Sequence, residues 1–163
     1  MTSHAIPSLG GSDMDRVRSL LRDLVDGSGA RCALLLDRAG RAVTAVGKTD
    51  GIDETSFASL AAADFDASDQ LAALLGEQEF TALYHQGADG SMYLSDIAGT
   101  AILAAVFDQR TTLGMVRLKT RAVLPRLADL MESIGRRGAQ DDEELEEGWL
   151  DEAVGEIDRL FAG

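Results

Sequence analysis

Few side chains in this 163-residue chain are types that do chemistry, and they are scattered. Its two histidines are His4, in a lead containing Pro and Gly, and His85, inside a strand-like run. One ordered imidazole and the single cysteine, Cys32, are too few ligands for a zinc site. Cys32 lies in the apolar run RCALLLD (31–37), where a buried thiol fills space and is inert. Val46-Gly47-Lys48-Thr49 imitates the end of a phosphate loop. That loop needs a glycine five residues before its second Gly, so that backbone amides can curl round the phosphates, and Ala42 stands there. GxSxG, HExxH and CxxC are all missing. Carboxylates abound, but acid–base work needs two held in contrasting environments, and no spacing marks such a pair. Neither a metal nor a cofactor is expected. The chain reads as a binding or scaffold domain rather than an enzyme acting on a small molecule.

Charge and composition narrow the partners. The net charge of −13 would repel the phosphates of a nucleic acid. Six of the seven residues from Asp141 to Glu147 are acidic, which reads as a solvated linker or as a site for a basic partner. In contrast, Arg117, Lys119, Arg121, Arg126, Arg136 and Arg137 make one region basic, either a solvated helix face or a docking surface. The acidic tail is itself a candidate partner for it. The apolar fraction of 45% fits a globular domain. A lone cysteine, no signal core and no membrane-length apolar run point to a cytoplasmic protein without membrane insertion.

The elements that must position these residues can be read in order. Residues 1–12 form a flexible lead, and Ser12 or Asp13 caps a helix with the stripe Met14, Val17, Leu20, Leu21, Leu24, Val25, closed by Gly27 and Gly29. Two strands, 31–37 and 41–46, make a hairpin around Asp37–Gly40. Asp53 caps a second helix ending before Gly76, with Phe57, Leu60, Ala61, Leu71, Leu74 and Leu75 as the face that covers a sheet. Its many alanines reflect either helix propensity or a shallow platform for a partner. Strands 79–86 and 91–96 join through a Gly-rich turn. The apolar run 100–107 reads as a strand buried on both faces, with a buried helix segment as the alternative. Asp108, Thr111 or Thr112 then caps a third helix that kinks at Pro125 and continues to about Gly135. After the linker, a short helix over 148–161 carries a stripe that either grips a groove or packs back on its own domain. The order α-β-β-α-β-β-β-α gives an α/β (α+β) fold, a five-stranded antiparallel sheet between helices on both faces, plus the C-terminal helix. The division is lead 1–12, domain 13–137, acidic linker 138–147 and amphipathic helix 148–163.

The strings FASLAAADFDASDQLAALLGEQEF, YHQGADGSMYLSDIAGTAIL and AVFDQRTTLGMVRLK resemble the roadblock (dynein light-chain) family, in its bacterial MglB-like branch, over about residues 13–137. The resemblance implies helices one and three on one sheet face and helix two on the other. It also implies a homodimer joined through the third strand, here with Phe80, Leu83, Tyr84 and His85. MglB-like proteins stimulate a small Ras-like, MglA-like GTPase in cell polarity and motility control, which would place this chain at a cell pole. They do so by organising the switch regions, without an inserted arginine, so neither Arg110 nor Arg117 is assigned as a finger. Carried over, the GTPase platform is Ala62, Ala63, Asp66, Ala67 and Gln70, and the C-terminal anchors are Trp149, Leu150, Ile157, Leu160 and Phe161. Family members are often small or neutral where this chain has Asp64-Phe65-Asp66. A scaffold that assembles a GTPase complex without stimulating hydrolysis is the alternative.

Overall fold

In the computed structural model, which describes residues 5–162, one strand is enclosed from every side. Strand β1 (Cys32–Asp37) is buried along its whole length and pairs antiparallel with both β2 (Ala42–Gly47) and β5 (Ala101–Phe107). Its side chains alternate. Ala33 and Leu35 join the core beneath α1 (Gly11–Ser28) and α3 (Leu113–Phe161), whereas Cys32, Leu34 and Leu36 join the core beneath α2 (Glu54–Leu74). That two-residue period explains why a run without polar alternation is still a strand. Strands β4 (Ser91–Ile97) and β3 (Ala82–Gln86) complete an antiparallel sheet of order β2-β1-β5-β4-β3. β3 pairs only with β4, so its other side is a free edge.

Local chemistry sets the element ends. Gly29 caps α1 with φ 74°, a left-handed backbone that glycine adopts without cost, and its amide donates to the Val25 carbonyl. The Asp53 side chain accepts from the Ser56 amide, and the Thr112 hydroxyl from the Met115 amide, starting α2 and α3 as expected. In α1, by contrast, the cap is Gly10, without a side-chain bond; Asp13 lies inside the first turn, nearly buried, and pairs with Arg137 at 2.9 Å.

Three expectations require correction. Residues 5–10 do not float: Ile6 and Leu9 pack on the core, and Arg41 donates to the Ile6 carbonyl at 3.3 Å. His4 lies outside the described residues. The second correction concerns α3, which contains Pro125 as expected but continues past Gly135 through the acidic segment to Phe161, with no linker between two helices. Glutamate, leucine and alanine are strong helix formers, and a continuing helix spares nucleation of a new one. Finally, β3 starts at Ala82, so Phe80 precedes the strand. No helix among the described residues is long and apolar enough to cross a membrane.

Candidate interaction site

The inner face of α2 is built from Ala58, Ala61, Ala62, Phe65, Ser68 and Ala72. Large side chains on the sheet, Leu34, Leu36, Leu94 and Ile102, fill the space from below, so the helix can approach on small residues with Phe65 as its one large knob. Of the face expected to cover the sheet, Phe57 and Ala61 do pack on it, but the leucines turn outward: Leu60, Leu71, Leu74 and Leu75 are 56–83% exposed. Among the platform residues, Ala63, Asp66, Ala67 and Gln70 share this outer surface, whereas Ala62 is buried and unavailable. The bulk of Asp64-Phe65-Asp66 also changes meaning. Phe65 points into the core and Asp64 faces β3, which leaves only Asp66 as added charge on the platform.

Two ionic contacts fix this helix. Arg38, from the β1–β2 turn, reaches Asp69 of α2 at 3.1 Å and Asp96 of β4 at 3.5 Å. Its guanidinium lies over the Phe65 ring, 5.1 Å from the centroid. Asp96 in turn accepts from the Gly99 amide at 2.7 Å. Sequence reasoning missed this cluster, because its members are brought together only by the fold. At the other contact, His85 Nε2 lies 2.6 Å from Asp64 Oδ2, tying the free edge of β3 to α2. Leu83 faces α2 like His85, and Tyr84 turns to the opposite face and stacks on Phe107 with centroids 6.2 Å apart. The dimer-strand candidates therefore divide between two sheet faces, with Phe80 outside the strand.

The remaining chemistry-bearing residues are occupied structurally. Cys32 is fully buried, and burial pushes its thiol up to about 11. Lys48 donates its amide to the Arg31 carbonyl at 2.9 Å, so the Gly47-Lys48-Thr49 segment is held against β1. Arg110 donates to Asp108 at 2.7 Å and holds its carboxyl down at about 2, a side-chain bond first and a backbone bond second. No cluster of three or more metal-ligating side chains occurs among the described residues. The C-terminal anchors Trp149, Leu150, Ile157, Leu160 and Phe161 are all exposed on α3 beyond the domain.

A family model described as Roadblock/LC7 domain matches residues 16–107, more than half the chain. The chain belongs to the Roadblock/LC7 family. The sheet, its order and the helices on both faces are the roadblock fold. Among solved structures, Myxococcus xanthus MglB is 35% identical, covering 72% of this chain and 96% of that one, with a TM-score of 0.70. Gliding protein mglB from Thermus thermophilus is 31% identical, covering 77% and 95%, with a TM-score of 0.72. A structure described as MglB with tetrameric arrangement is also 31% identical over the same shares, with a TM-score of 0.74. A Schizosaccharomyces pombe profilin, 18% identical with a TM-score of 0.52, shares the fold alone. No curated protein matches the sequence significantly.

Proposed function

We propose that this roadblock protein is an MglB-like regulator. It would bind a small Ras-like, MglA-like GTPase as a homodimer and stimulate GTP hydrolysis by organising the switch regions. The observation that carries the reading is the outward face of α2: small and polar positions, Ala63, Asp66, Ala67 and Gln70, beside a free β3 edge. It sits in a chain 31–35% identical to MglB structures over nearly their whole length. Pairing two β3 edges removes an unpaired strand and brings two α2 helices to one side, making a joint platform.

A regulator of this kind needs no nucleophile of its own, because the GTPase supplies the site and the attacking water. What it contributes is a surface that favours one arrangement of mobile switch segments. Arg110 agrees with that role: its guanidinium is engaged by Asp108 rather than presented as a finger. The apolar stripe at the end of α3, with Trp149, Leu150, Ile157, Leu160 and Phe161, is a second contact for the GTPase in this reading. Its action belongs in polarity and motility control, at a cell pole.

The test is single-turnover GTP hydrolysis by the MglA-like GTPase, with this protein, with Asp66→Arg, and with a chain ending at Arg137. The expected result is a rate rise that Asp66→Arg abolishes and that truncation weakens through affinity. Binding without any rate rise would instead make the protein a scaffold for a GTPase complex.

A further inference from the structure

Helix α3 is segregated by charge along its length. From Leu113 to Ala128 it contains Arg117, Lys119, Arg121 and Arg126 and no acidic residue. From Asp141 to Asp158 it contains ten acidic residues and no basic one. Each half also carries an exposed apolar stripe on the same side of the helix. In the first half Leu118 is 60% exposed, and Ala122 and Pro125 follow at spacings of four and three. The second half presents Val154, Ile157 and Phe161 at spacings of three and four, each more than half exposed. These spacings are those of helix-to-helix seams.

We infer that α3 is a docking surface for a second copy of this chain, with the two α3 helices antiparallel. In a single register, Leu118 comes level with Phe161 of the other copy, Ala122 with its Ile157, and Pro125 with its Val154. The same register sets Lys119 opposite Asp158 and Arg126 opposite Asp151 along one edge of the seam, as an antiparallel pair requires. A two-fold axis beside Ala139 and Gln140 generates every contact twice. Between the end patches, Arg136 meets Glu143, while Glu132 faces Glu147, so the attraction resides at the two ends.

Within one chain the pairing cannot occur. The helix is continuous, and Leu118 and Phe161 are separated along it by about 60 Å. A parallel arrangement is disfavoured because the acidic halves would lie together. Arg126 is free to change partner, since its contact with Asp23 is 3.8 Å long and both side chains are exposed. This surface lies on the α3 side of the sheet, away from α2, so it adds an association to the β3-edge pairing rather than replacing it.

The seam uses Ile157 and Phe161, which the functional reading gives to the GTPase, so the two contacts compete for one stripe. The experiment contains no GTPase, so its failure is distinguishable from the failure of that reading. Sedimentation velocity over a concentration series would compare the full chain, Arg126→Asp, Asp151→Arg and the double reversal, against a chain ending at Glu147. Each single reversal should weaken the association step about tenfold, two symmetry-related pairs turning from attraction to repulsion, and the double reversal should restore it. The chain ending at Glu147 should lack the step. In parallel, Leu118→Cys/Phe161→Cys should cross-link between copies under mild oxidation, and Leu118→Cys/Leu145→Cys, out of register, should not. Equal association in all five chains, or equal cross-linking at the two positions, would overturn the inference and leave the stripe to another partner.

Discussion

Replacing Arg38 with alanine should loosen the second half of α2 more than any surface substitution on that helix. Arg38 and Asp96 are almost covered, with side chains 11% and 10% exposed, and Asp69 is 29% exposed. Removing the guanidinium leaves two carboxylates of like charge facing each other in a region of poor solvation. Breaking a buried pair in this way costs about 3–5 kcal/mol, and the partial exposure of Asp69 places the value at the lower end. Loss of the cation over Phe65 adds about 0.5–1 kcal/mol. A total of about 3–4 kcal/mol corresponds to a fall in melting temperature of about 10 °C for a domain of this size. Urea unfolding at one fixed protein concentration would measure it, with an unchanged slope confirming that the unfolded state is the same. Arg126→Ala, compared with Arg38→Ala in the chain ending at Glu147 where the α3 seam is absent, is the control: both partners in its ion pair are exposed, so it should cost less than about 0.5 kcal/mol. Arg38→Met combined with Asp69→Asn and Asp96→Asn should recover much of the loss, because no uncompensated charge remains. If Arg38→Ala and Arg126→Ala unfold at the same urea concentration, the ionic anchor of α2 is refuted.

Other consequences follow from single groups. Cys32 should react with a disulfide reagent at pH 8 only as fast as the chain opens, and at once in denaturant; rapid labelling of the folded protein would contradict its burial. The Asp108 carboxyl, held at about 2 by Arg110, contributes stability above the ordinary carboxylate range that fades as pH falls from about 4 toward 2. In Arg110→Ala its titration, followed by carbonyl NMR, should move up toward the ordinary range; an unmoved midpoint would remove Arg110 as the cause. Gly47→Ala should destabilise by about 2–4 kcal/mol in urea unfolding, through a left-handed backbone and an overpacked contact. Gly47 has φ 89°, and an added Cβ would lie 2.5 Å from the Arg31 carbonyl oxygen.

The two sides of the sheet differ in how far the sequence discloses them, and α2 shows why. For α1, the stripe Val17, Leu20, Leu21 and Leu24 is both the most apolar face and the buried one, so hydrophobicity and burial agree. The apolar run of β5 is likewise a strand with nearly every side chain covered. In α2 two faces compete. One holds leucines and the other holds Ala58, Ala61, Ala62, Phe65 and Ala72, and ranking by apolarity selects the leucines. The sheet reverses that choice, because Leu34, Leu36 and Ile102 already occupy the volume and only small side chains fit above them. Spacing alone could not settle this, since both sets recur at helical intervals. Neither could it find the Arg38 cluster, whose members lie on a turn, a helix and a strand. The continuity of α3 was hidden for another reason: an acidic run suits a solvated linker and a solvated helix equally well, and only the regular backbone on both sides decides. What the reversal in α2 leaves outside is a row of leucines around a small-residue centre, Leu60 and Leu74 flanking Ala63, Ala67 and Gln70. A helix that faced only water would gain nothing from those leucines. Their exposure beside the free β3 edge supports the proposed partner surface on α2.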